Sequence, residues 1–142
     1  MKTVVTNNMV AHLWAAQSQS HARNTKNTFW FRDSVIYSYG SHFPIARHVN
    51  GHVLMTTRNY SATTSRHKST VVNAAYHLPM IYCANPTAES EIDHRKNLAA
   101  MRTACLACLE KASRARLYSQ MHLDNAEDYV TQHATYRTFF GL

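Results

Sequence analysis

The chain has 142 residues, 45% of them hydrophobic, and carries a formal net charge of +7 with a pI near 9.6. Only three glycines and three prolines, with two tryptophans, eight tyrosines and five phenylalanines, exclude a low-complexity chain and supply the bulk for one domain's core. No apolar run nears the ~20 residues of a membrane helix, and three cysteines is an odd number, so a spanning segment and a secreted disulfide framework are both disfavoured and a reducing cytoplasm is expected.

Thr6 and Asn7 precede Val10, Leu13, Trp14 and Gln17 at helical spacing, which predicts a first helix over about 7–18. "SHARNTKN" reads as a basic loop. "TFWF", "VIYSYG" and "HVLMTTR" are rich in aromatic and β-branched residues and read as strands, the first two joined tightly at Asp33-Ser34. Asn50-Gly51 is a type I′ hairpin signal, because both residues tolerate positive φ. It sets Val49 opposite His52, His48 opposite Val53, and Arg47 opposite Leu54, so His48 and His52 fall on opposite faces. Pro44 cannot donate to a ladder and marks an edge or a bulge. "TTSRHKSTVVNAAYH" predicts a second helix, with His67, Val71, Ala74 and Leu78 on one stripe, and "MIYCA" a short buried strand ended by Asn85-Pro86.

Beyond Thr87 the pattern is helical. Thr87 is the expected cap, Glu89 and Glu91 suit a first turn, and Leu98, Met101, Cys105, Cys108 and Ala112 form a seam. Asp124 and Glu127 read as a capping pair for a last helix, with Tyr129, His133, Tyr136 and Phe140 as its stripe. The expected architecture is α+β over residues 1–142: an N-terminal helix, a three-stranded antiparallel meander, a helix, a short strand and a helical C-terminal part.

The charge is segregated. Residues 1–88 carry eight Lys/Arg against one acid, Asp33, a net of +7, and residues 89–142 carry seven of each sign. Such asymmetry points to a polyanion, nucleic acid first and an anionic membrane surface second. The balanced tail is expected to pack on the sheet or form a dimer contact.

"SATTSRHK", Ser61–Lys68, puts cations where a helix start favours carboxylates. The functional explanation is an anion site: helix N–H groups and the hydroxyls of Ser61, Thr63 and Thr64, with Arg66 and Lys68 meeting a phosphate. The bland one is a Ser/Thr cap with two solvated cations. The α-β-β-β-α order over 7–77 is similar in topology to double-stranded-RNA-binding domains, which put basic residues at this helix start.

"YSYGSHFPIARHV" and the downstream "TTRNYS" are the most distinctive runs. They resemble a family of small uncharacterised proteins encoded largely by bacteriophages and other mobile elements, with a core close to "IYSYGSHFPIA" and a "TTRxYSxTT" segment. These correspond to Ile36–Ala46 and Thr56–Thr64, within a likeness covering about the first 85 residues. The resemblance implies a phage setting and a host bacterial cytoplasm. Physically, Gly40, Ser41, His42 and Pro44 suit either a recognition loop or an irregular corner with a buried histidine.

Other chemistry is less favoured. Cys105 and Cys108 have C-x-x-C spacing but lie in a helix seam, so no metal site and no cofactor is expected. A metal-independent nuclease using His42, His67 and Lys68 with Tyr39 or Tyr60 is a third reading, weakened by His67 sharing a stripe with Val71 and Ala74. Trp30 and Tyr37 share a hairpin face and, beside Arg32 or Arg47, would stack bases if that face stays open; the competing and favoured expectation is that helices cover both faces. The expectation is a non-enzymatic nucleic-acid-binding protein contacting backbone through Ser41, His42, Arg47, Arg58, Ser61, Thr63, Thr64, Arg66 and Lys68. A module that modulates a host bacterial protein is the alternative.

Overall fold

A computed structural model describes residues 1–41 and 43–142. The chain is α+β and divides into two compact units, Met1–Met80 and Ile81–Leu142. This boundary lies near the charge boundary: the first unit holds all eight excess-side cations and Asp33, and the second holds seven of each sign. Of the segments given to the basic core on sequence grounds, only Ile81 onward joins the helical part.

The first unit opens with α1 (Asn7–Ala16), capped by Thr6, whose side chain accepts from the Met9 amide. Five antiparallel strands follow in sequence and spatial order: β1 (His21–Arg23), β2 (Phe29–Arg32), β3 (Val35–Ser38), β4 (Pro44–Val49) and β5 (His52–Thr56). Helix α2 (Ala62–Ala75) closes the unit, and β6 (Met80–Cys83) begins at the boundary with the second. The meander thus has five strands between the helices where the sequence reading expects three. The "SHARN" segment pairs with β2 although its pattern is polar, and the Pro44 segment forms a full strand. The double-stranded-RNA-binding order is therefore not met.

The Asn50-Gly51 turn has φ of +48° and +79°, and β4 and β5 pair as expected: Val49 with His52, His48 with Val53, Arg47 with Leu54. At Pro44 the register shifts between Ile36 and Tyr37, so Ile45 has no partner on β3. Such a bulge lets two successive residues turn inward, and Ile45 and Ala46 are both fully buried. Asp33 takes the positive φ, +52°, that the two-residue β2–β3 link requires.

Helices α1 and α2 cover one sheet face. The core there is Val10, Trp14, Phe29, Phe31, Ile36, Val53, Met55 and Val71. Trp14 donates from Nε1 to the Ser34 carbonyl (2.9 Å), and its own carbonyl meets His48 Nε2 (2.9 Å), tying α1 to the sheet through polar groups inside an apolar layer.

In the second unit, α3 (Glu91–Arg114) is capped by Ser90 rather than Thr87, with Glu91 and Asp93 in its first turn. Thr87 instead closes an Asx-type turn, its amide donating to Asn85 Oδ1 (3.0 Å). Helix α4 (Ser119–Phe140) starts before Asp124, so Asp124 is interior and accepts from Gln120 Nε2 (2.9 Å); the Asp124–Glu127 capping pair does not form. Tyr136, fully buried, accepts from Asn97 Nδ2 (2.9 Å) and its hydroxyl is also hydrogen-bonded to His94 Nδ1 (2.5 Å). This network joins α3 to α4.

Candidate nucleic-acid interface

Ser61 caps α2, its Oγ accepting from the Thr64 amide (3.2 Å). Its hydroxyl donates to Thr64 Oγ1 (3.2 Å), which contacts Ser38 Oγ (3.1 Å), which contacts His67 Nδ1 (2.8 Å). Thr64 and His67 are buried, and the His67 ring stacks on Phe29 with centroids 4.5 Å apart. Burial pushes the His67 pKa down, which favours the neutral ring at this contact. These groups lock the helix start to β3, and the site keeps Ser61 and the half-buried Thr63 at its surface.

The two distinctive sequence runs meet here. Ser38 belongs to the first and Thr64 to the second, and Phe43 packs near Tyr60 (centroids 5.6 Å). Tyr39 lies 6.3 Å from His67 with a backbone φ of +64°. Ser41 is exposed in the same loop, and His42 lies outside the described residues. The runs therefore form one corner of the fold around the start of α2.

The cations divide into two kinds. Lys68 is the seventh residue of α2 and donates from Nζ to the Arg58 carbonyl (2.8 Å) and Asn59 Oδ1 (3.1 Å). It fastens the β5–α2 loop, and burial lowers its pKa from the usual lysine range. Arg66, the fifth residue, and Arg58 are exposed, and among the described residues neither guanidinium has a hydrogen bond or ion pair. Because the dipole field fades within the first helical turn, Arg66 and Lys68 oppose it less than their place in the sequence suggests.

Arg47 is elsewhere. Its neighbours Ala46 and His48 face the helices, so Arg47 lies on the opposite sheet face. There it shares a row with Val35, Arg32 and His21 through successive strand pairings. The next row on that face is Arg23, Trp30 and Tyr37. Arg23 and His21 escape sequence reasoning because β1 shows no apolar alternation, and only the pairing with β2 reveals their face.

The second unit offers a different surface. A groove of about 270 Å³ between α3 and α4 is lined by Met101, Arg102, Cys105, Leu106, Tyr129 and Val130, with His133 at its edge. Leu106 and Val130 are 65% and 59% exposed. Among the described residues no group of three or more His, Cys, Asp or Glu is placed to hold a metal, and no helix is long and apolar enough to cross a membrane.

An α+β unit with one dominant sign of charge and a hydrogen-bonded corner at the start of α2 is the class that these observations define. Residues 8–84 match a family of unknown function, DUF8033, and the chain belongs to it. No curated protein and no solved structure matches the chain significantly.

Proposed function

We propose that the protein binds nucleic acid through the phosphate backbone, using the first unit, and acts in a bacterial host's cytoplasm as a phage-type protein. The observation that carries this reading is charge segregation by fold: a net of +7 within Met1–Met80 and zero within Ile81–Leu142. A surface with one acid among eight cations attracts a polyanion at long range and repels little of it locally. Exposed Arg58 and Arg66 beside Ser61 and Thr63 supply the contacts at the α2 start. Lys68 shapes that start rather than contacting phosphate, since its ammonium is already committed to Arg58 and Asn59.

The experiment is an affinity titration of the whole chain with fluorescent duplex and single-stranded oligonucleotides at 50 and 200 mM salt. Backbone binding through about four contacts predicts a fall of roughly two orders of magnitude across that range. Affinity that ignores salt would move the function to the second reading, a protein-interaction module. The exposed apolar α3–α4 groove favours that alternative.

A further inference from the structure

We propose that the sheet face opposite α1 and α2 is a stacking platform for single-stranded nucleic acid, centred on Trp30 and Tyr37; this rests on the nucleic-acid reading above. The two residues pair across β2 and β3, and their rings stack with centroids 4.3 Å apart and planes 17° apart. Trp30 donates from Nε1 to the Tyr39 carbonyl (2.6 Å), which fixes its orientation. Both are half-buried, and neither belongs to the apolar core beneath α1 and α2. A rigid aromatic pair outside the core is a surface in need of an explanation.

Its surroundings supply one. Arg23 follows Trp30 in the same row, exposed, with its guanidinium steadied by the carbonyls of Asn24 (3.1 Å) and Thr25 (3.3 Å). The adjacent row brings exposed Arg32 and half-buried Arg47 to the same face. Arg32 has no partner among the described residues, and the unit's only acid, Asp33, sits in the hairpin turn at the end of that row. Leu54, at the β5 end of this face, is fully buried, and the exposed arginines of the face lie on β1 and β2.

Aromatic rings flanked by guanidinium groups fit an unpaired strand: a base stacks on a ring while phosphates on either side meet arginines. A duplex hides its base faces and could use only the arginines. Single-stranded DNA and RNA present the same two chemical features, so both are tested.

The readout is intrinsic fluorescence of the full chain, which has two tryptophans, Trp14 fully buried and Trp30 half-buried. Fifteen-residue oligo(dT), oligo(U) and a duplex of equal length are titrated at low salt. The platform predicts that either single strand quenches up to the Trp30 share of emission while the duplex leaves it unchanged. Tyr37→Ala should weaken single-strand binding about 5- to 100-fold and duplex binding by less than twofold. If Tyr37→Ala loses its circular dichroism, Tyr37→Leu replaces it in the same titration, and Trp30→Phe, read by anisotropy of labelled oligonucleotides, is expected to retain most single-strand affinity. Salt-sensitive binding of duplex and single strand alike, without quenching, would overturn the platform and leave backbone binding intact. An absence of binding to any of the three would overturn both.

Discussion

Replacing Lys68 and Arg66 separately distinguishes a cation that holds the fold from one free to meet a ligand. Lys68→Met keeps the aliphatic stem and deletes an ammonium that donates to the Arg58 carbonyl and to Asn59 Oδ1 at 2.8 and 3.1 Å. A hydrogen bond from a charged donor is worth about 1.5–3 kcal/mol when well buried. The lysine is half-buried, so water screens much of that, and losing the ammonium also removes its burial cost. The balance is about 1 kcal/mol of destabilisation, which for a chain of this size lowers Tm by about 3–5 °C. Arg66→Ala removes an exposed guanidinium without a partner among the described residues, so Tm should hold or rise slightly. Its cost should fall on nucleic-acid affinity instead. The assay is differential scanning calorimetry beside anisotropy titrations of a labelled oligonucleotide for each variant. An unchanged Tm for Lys68→Met, together with a large loss of affinity, would refute the assignment of Lys68 to the loop.

Burial holds the folded pKa of both His48 and His67 below the usual histidine value, so the unfolded chain takes up protons first as pH falls. Stability should be complete above about pH 6.5 and decline below it; thermal melts at pH 7.5 and 5.5 check this, and a Tm that rises on acidification contradicts it. Tyr136→Phe deprives buried Asn97 and His94 of a shared partner and should cost about 1–3 kcal/mol by urea unfolding, where a neutral result would discount the network. Gly51→Ala meets no atom within 4 Å, so only its φ of +79° matters, and urea unfolding should give about 1 kcal/mol of destabilisation. Labelled DNA and RNA should stay intact with or without magnesium, since His67 is 4% exposed and stacked on Phe29; cleavage lost in His67→Ala would reinstate a nuclease.

Local rules with strict geometry were legible in the sequence. Asn50-Gly51 determined a hairpin register residue by residue, and Pro44 marked the bulge that turns Ile45 inward. The stripes of α1, α2 and α3 emerged because burial on one face leaves a 3.6-residue period. His21–Arg23 was illegible because a three-residue edge strand with a single buried residue, Ala22, carries no period. The starts of α3 and α4 shifted because several Ser, Thr and Asp residues compete as caps. Ser90 wins for α3, and α4 begins at Ser119 after a left-handed Tyr118 with no side-chain cap. Charge segregation was visible as a count, but whether two cations act alike was not. Lys68 and Arg66 are two residues apart, and only the path of the β5–α2 loop separates their roles.

The most direct test of the central claim compares salt slopes between the two units. Arg58→Ala with Arg66→Ala removes two charges from the basic unit, and Arg114→Ala with Arg116→Ala removes two from the neutral one, where Arg114 already pairs with Glu110. Binding of a labelled oligonucleotide is measured for both double variants and the parent from 50 to 200 mM salt. The account predicts that the first pair weakens binding and flattens the slope of log affinity against log salt by about two, while the second leaves both nearly unchanged. Equal flattening by the two pairs, or none by the first, would contradict it.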